Sequence, residues 1–178
     1  MVKMLRYGLA FGLLLAFASP VFAQGDYPTF QLAPGYGNIK FGVPPLALYG
    51  LAPKRHSGFT LDTNFNFNST VGLDLYTGYY SLGNNSTLYT NTFGLNATLR
   101  KNDHIIPYGT AGFGFGILNV QGVFGERSMA TRIGGGVDIP LGDSLAIRAE
   151  ATHMGFHFEH EWSGGLNVSV GIVLNLSQ

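Results

Sequence analysis

The stretch HMGFHFEHEW, residues 153–162, gathers His153, His157, His160, Glu159 and Glu161 into one short run. Imidazoles and carboxylates are ligand types for zinc or copper. Their spacing fits no established metal site, and the run lies where a strand would pass into a loop, so no metal and no other cofactor is expected. His56 and Ser57 are the base and nucleophile types of acyl transfer. Adjacent residues on a strand point to opposite faces, which keeps these two apart. Asp62 and Asp74 could share a proton across neighbouring strands, although pairing with arginines is the commoner use of such acids. GFGFG, residues 112–116, lacks the helix and lysine of a phosphate cradle. Its glycines read as space-makers. The runs starting at Asn68, Asn85 and Asn96 match the glycosylation acceptor pattern, as chance provides in an Asn-rich chain.

The charges that call for an explanation lie in SLAIRAEATHM, residues 144–154, where Arg148 and Glu150 interrupt a mostly apolar run. The chain has 178 residues, of which 46% are hydrophobic and 11% charged, with 26 glycines and no cysteine. A soluble domain of this size carries about 25% charged residues. Scarce charge and an apolar bias suggest a lipid environment. Without cysteine there is no disulfide framework and no thiolate metal site. Near-neutral balance, ten bases against ten acids, offers nucleic acid no electrostatic footprint.

The one long apolar run is N-terminal. MVKMLRYGLAFGLLLAFASPVFA has Lys3 and Arg6, an apolar core, and small residues up to Ala23. It reads as a cleaved signal peptide over 1–23, leaving a barrel domain over 24–178.

From there the dominant signal is alternation with period two, the mark of strands with two different faces. In WSGGLNVSVGIVLNL, Leu166, Val168, Val170, Ile172, Leu174 and Leu176 share one face, and Asn167, Ser169, Gly171 and Asn175 the other. Seven further strands are expected near 29–42, 57–68, 70–83, 88–100, 106–120, 128–142 and 145–158, with a bulge or kink at Pro34. Tight polar turns at 68–69, 101–103 and 141–143 alternate with more varied connections at 43–56, 82–88, 121–127 and 159–162. This layout predicts an all-β fold, an eight-stranded antiparallel up-and-down transmembrane β-barrel.

With the apolar faces toward lipid, the same parity puts Asp62, Asp74, Arg132, Asp138, Arg148 and Glu150 inside, as a structural charge network. About the turn near Asp143, Asp138 falls opposite Arg148 and Gly136 opposite Glu150, a favourable cross-strand arrangement. Tyr79, Tyr80, Tyr89, Phe156, Phe158 and Trp162 lie near the loop ends and are expected to form the outer aromatic girdle. A soluble barrel would reverse the faces, but its outer face would carry Lys and Glu rather than the Asn, Thr, Ser and Gly found here.

The stretches IPYGTAGFGFG, ATRIGGGVDIPLGDSLAIRAEATHM and WSGGLNVSVGIVLNL resemble the outer-membrane β-barrel domain family of small OmpA-like and OmpX-like proteins. The resemblance covers most of 27–176 and is sharpest after Ile106. It implies a bacterial outer-membrane location and delivery by the barrel assembly machinery, but no one shared activity. Such chains usually end on an aromatic residue, whereas this sequence reads Leu174-Asn175-Leu176-Ser177-Gln178. A monomeric, non-enzymatic barrel with a structural or surface-interaction role is expected, its lumen filled by polar and charged side chains, with outer-membrane lipid as its surroundings and no nucleic acid partner. The rivals are a narrow porin-like channel and a lipid-modifying enzyme. For the latter, His153 is followed by Met154-Gly155, not by the His-x-Ser arrangement of lipid A deacylases.

Overall fold

Eight antiparallel strands close into a barrel in the computed structural model, which describes residues 27–41, 55–83, 85–101, 104–120, 124–158 and 161–177. The strands are β1 (Phe30–Phe41), β2 (Arg55–Asn66), β3 (Val71–Gly83), β4 (Ser86–Thr98), β5 (Ile106–Val120), β6 (Phe124–Pro140), β7 (Leu145–Phe158) and β8 (Glu161–Ser177). Each pairs with its sequence neighbour, and β1 closes on β8. Closure leaves no sheet edge, so every strand finds its backbone hydrogen bonds within the sheet. The signal peptide expected at 1–23 lies outside the described residues.

Alternation fixes the faces. On β8, Leu166, Val168, Val170 and Ile172 point outward and are exposed, while Ser163, Asn167 and Ser169 point inward and are buried. β5 shows why glycine recurs on the inner face. A Cβ on Gly116 would lie 2.8 Å from the Phe156 ring, and one on Gly136 of β6 would lie 2.9 Å from the Tyr108 hydroxyl. These glycines make room for aromatic rings from other strands.

Two expectations about the strands need correction. Pro34 causes no bulge: the register shift on β1 lies between Phe30 and Gln31. Pro34 pairs in register with Leu61 of β2, and it is the pairing with β8 that lapses at Ala33 and Pro34, where proline has no amide hydrogen to give. The connections expected at 82–88, 121–127 and 159–162 are shorter than their composition suggested, because the strands run on to Gly83, Val120 and Phe158 and restart at Ser86, Phe124 and Glu161. At the first of these, Gly83 and Asn85 adopt positive φ values of 80° and 56°, a conformation that suits glycine and asparagine.

The strands have 12 to 17 residues, more than the roughly 9–11 that a tilted strand needs to cross a bilayer. The surplus lies at the end bearing the β1–β2, β3–β4, β5–β6 and β7–β8 connections, and there the polarity of the wall inverts. Ile39, Leu82, Leu88, Leu118, Phe156 and Phe158 are buried inside. Lys40, Arg55, Ser57, Ser81, Thr87, Asn119 and Arg127 occupy the outward positions. This rim is built like a soluble barrel, apolar within and polar without, and it crowns a section with the opposite polarity.

Candidate functional site

The lumen is layered along the barrel axis. At the end formed by the β2–β3, β4–β5 and β6–β7 turns, Gln31 Nε2 donates to Asn175 Oδ1 (2.8 Å), and Asn66 Nδ2 donates to the Gln31 side-chain oxygen (3.2 Å). Above them Ala33, Ala146 and Val173 pack together. Next come the charges.

Asp138 and Arg148 sit opposite each other on β6 and β7, and Gly136 lies opposite Glu150, as the turn-centred parity predicts. Arg148 donates from Nε to Asp138 Oδ1 and from Nη2 to Asp138 Oδ2, both at 2.8 Å. Such a two-pronged geometry is the strong form of this ion pair. One layer up, the Arg132 guanidinium gathers three acids from three strands: Asp62 Oδ1 at 2.9 Å, Asp74 Oδ2 at 2.5 Å and Glu150 Oε2 at 2.5 Å. Arg132 is 1% exposed. With its amide oriented so that both ends are satisfied, Asn64 accepts from Arg148 Nη1 at 3.1 Å and donates to Asp74 Oδ1 at 3.2 Å, linking the two clusters.

Sequence reasoning assembled the six charged residues but left out the neutral groups that hold them. Tyr108 donates to Glu150 Oε2 (2.8 Å), and Thr110 to Asp74 Oδ2 (2.5 Å). The Arg132 guanidinium lies 4.2 Å from the Tyr76 ring centre, and that of Arg148 lies 4.5 Å from the Tyr108 ring centre. Tyr76 and Tyr80 share a hydroxyl hydrogen bond, Tyr80 donates to Asn167 Oδ1 (2.9 Å), and Asn167 reaches Thr152 (3.4 Å). The signal for all of them was present, since each occupies an inward position.

Asp62 and Asp74 do not face one another as a dyad would. Asp62 pairs with Tyr76 and Asp74 with Asn64, so the acids are offset by two residues and Arg132 stands between them. The guanidinium occupies the position from which a cation would neutralise the three acids. The cluster is built to tie strands β2, β3, β5, β6 and β7 together.

The expected girdle divides. Tyr79 and Trp162 are exposed on the outer wall and Tyr89 is half-buried there, opposite Tyr79. Tyr80, Phe156 and Phe158 instead point into the lumen and are buried. Strand parity decides this, because Phe156 and Phe158 fall on the same face as Arg148, Glu150 and Thr152, and Tyr80 on the face of Asp74. The three rings belong to a layer with Ile39, Tyr76, Leu82, Leu88, Leu118, Ala130 and Met154. The outer part of the lumen is therefore apolar rather than polar and charged throughout.

In the histidine run, His153 and His157 occupy outward positions. The His157 ring packs edge-on against Trp162 at 5.3 Å, and a Cβ on Gly164 would lie 2.8 Å from the His153 imidazole. Glu159 and His160 lie outside the described residues. His56 is buried inward, whereas Ser57 points outward and accepts from Asn38 Nδ2 (3.1 Å).

Residues 9–173 match the family described as outer membrane protein beta-barrel domain. No sequence match was found among curated proteins. Among solved structures the fold is similar to Neisserial surface protein A, at 12% identity and a TM-score of 0.66, covering 83% of this chain and 97% of that one. It is also similar to the N-terminal β-barrel domain of Pseudomonas aeruginosa OprF (15% identity, TM-score 0.52, 85% and 100% covered). Ail, the attachment invasion locus protein of Yersinia pestis, shows 14% identity, a TM-score of 0.51 and coverages of 82% and 97%. At these identities the structural likeness speaks for the fold, and the family match covers most of the sequence. The chain belongs to the outer membrane protein β-barrel domain family and resides in the bacterial outer membrane.

Proposed function

We propose that the protein is a closed, non-enzymatic barrel with a structural or surface-interaction role, acting as a monomer surrounded by outer-membrane lipid and delivered there by the barrel assembly machinery. The observation that carries this reading is the double closure of the lumen. The Arg132 cluster spans it at one level, and the layer around Phe156 and Tyr80 fills it at the next. Eight strands enclose an interior only wide enough for side chains. A hydrated ion would have to displace buried rings and a guanidinium held by three acids.

The test is electrical. The purified protein, folded into planar bilayers, should give no discrete conductance steps at moderate voltages. Steps of reproducible size would establish the narrow-channel reading instead. Unchanged lipid A after overproduction is the matching expectation against a lipid-modifying activity, and a new lipid A species would overturn it.

A further inference from the structure

Among the described strand side chains, the charges on the outer wall are all basic, while both signs share the lumen. The described strand carboxylates, Asp62, Asp74, Glu126, Asp138 and Glu150, occupy inward positions. Lys40, Arg55 and Arg127 occupy outward positions near the rim. Lys40 and Arg55 are directly opposite each other on β1 and β2, and both are exposed. Like charges facing across a strand pair repel. No ion pair to either is present among the described residues. In the sequence, residues 42–54 that join the two strands contain no Asp or Glu, and the strand neighbour of Lys40 on β8 is Leu166. No described side chain provides the pair with a countercharge.

What lies beneath the pair identifies the anion. One outward step along the strands, Asn38 pairs with Ser57, and the Asn38 Oδ1 atom is buried without a hydrogen-bond partner. One step further, Tyr36 and Phe59 meet edge-on at 6.2 Å, flanked on β8 by Val170. At about 3.3 Å rise per residue and a tilt of about 40°, the two bases stand roughly 10 Å above those rings along the barrel axis. A cationic pair, then a polar step, then an apolar wall is the order of an anionic lipid: phosphate, polar linkage, acyl chain. The geometry points to Lys40 and Arg55 as a clamp for the phosphate of a phosphorylated lipid in the outer leaflet, with Asn38 facing its polar linkage and Tyr36, Phe59 and Val170 its chains. This goes beyond general contact with the bilayer, because it assigns one headgroup class to one strand pair.

The full chain is folded into phosphatidylcholine vesicles with and without a minor fraction of lipid A, extracted in mild detergent, and the retained lipid A counted per barrel by mass spectrometry. Wild type should retain lipid A. Lys40→Gln with Arg55→Gln should lose about fivefold in retention for each base removed, whereas Lys101→Gln at the opposite end should match wild type. Free inorganic phosphate should not displace the lipid. Lys40→Glu adds a test on folding: it gives Arg55 an internal partner, so the variant should be more heat-resistant than wild type in phosphatidylcholine alone. Lipid A should raise the heat resistance of wild type but not of Lys40→Glu. Equal retention by wild type and the double variant would overturn the clamp. Displacement by inorganic phosphate would make it a simple anion site, and equal lipid A stabilisation of wild type and Lys40→Glu would remove the role of the pair.

Discussion

Arg132→Met should destabilise the barrel by about 3–5 kcal/mol, the range for removing one partner of a buried ionic cluster. Methionine keeps much of the side-chain bulk against Tyr76 while removing the charge, so the loss reports on Asp62, Asp74 and Glu150. In wild type each of these acids lies within 2.9 Å of the guanidinium, and no other base pairs with them among the described residues. Urea titration of the barrel in lipid vesicles measures the difference, with Lys101→Met at the exposed turn as the reference, expected within about 1 kcal/mol of wild type. Adding Asp62→Asn to Arg132→Met should recover part of the loss, because one fewer buried carboxylate then lacks a counterion. Arg148→Met should be rescued instead by Asp138→Asn, its bidentate partner. Losses near zero for Arg132→Met would mean that water, not the guanidinium, solvates the three acids.

Phe156→Ala should cost about 3–5 kcal/mol through lost burial and the cavity left behind. The ring is fully buried, stacks on Phe158 at 5.9 Å, and fits where Gly116 leaves room on β5. Phe113→Ala on the outer wall, where the native ring is 67% exposed, leaves no internal cavity, since lipid closes the gap. It should cost less. Gly116→Ala separates packing from general fragility. Alone it pushes a methyl group to 2.8 Å from the Phe156 ring and should destabilise. Combined with Phe156→Ala it fills part of the cavity, so the two losses should sum to more than the double variant shows. Strict additivity would place Phe156 outside the packed lumen.

The number of strands, their order and their faces were legible because two solvents act on this chain. Between Val71 and Tyr76, or Asn167 and Ile172, lipid on one side and a polar lumen on the other write opposite residue types at alternate positions. The Asp138–Arg148 pairing followed from the same parity and a short turn. The aromatic residues near the strand ends were misjudged where that contrast fades. In the rim, Phe156, Phe158 and Tyr80 face inward among Leu82, Leu88 and Leu118, so apolar character no longer marks the lipid side. Position in the strand still did: counting by twos from Arg148 reaches Phe156 and Phe158. The convergence of Asp62, Asp74 and Glu150 on Arg132 was not legible, because it depends on reach across a lumen whose width the sequence does not state.

The central claim is that the apolar faces meet lipid around a sealed lumen, and the absence of native cysteine allows it to be tested one position at a time. Single cysteines at Asn167, Val168, Ser169 and Val170 on β8, introduced into the protein in lipid vesicles, are challenged with a charged, water-soluble thiosulfonate and with a membrane-soluble maleimide. Ser81→Cys, exposed at the rim, sets the rate for free access to water. The prediction is that positions 168 and 170 react only with the membrane-soluble reagent, and positions 167 and 169 with neither at an appreciable rate. Reaction of 167 or 169 with the charged reagent at the Ser81→Cys rate would show an open lumen, and preference of the membrane-soluble reagent for 167 and 169 would show that the faces are exchanged.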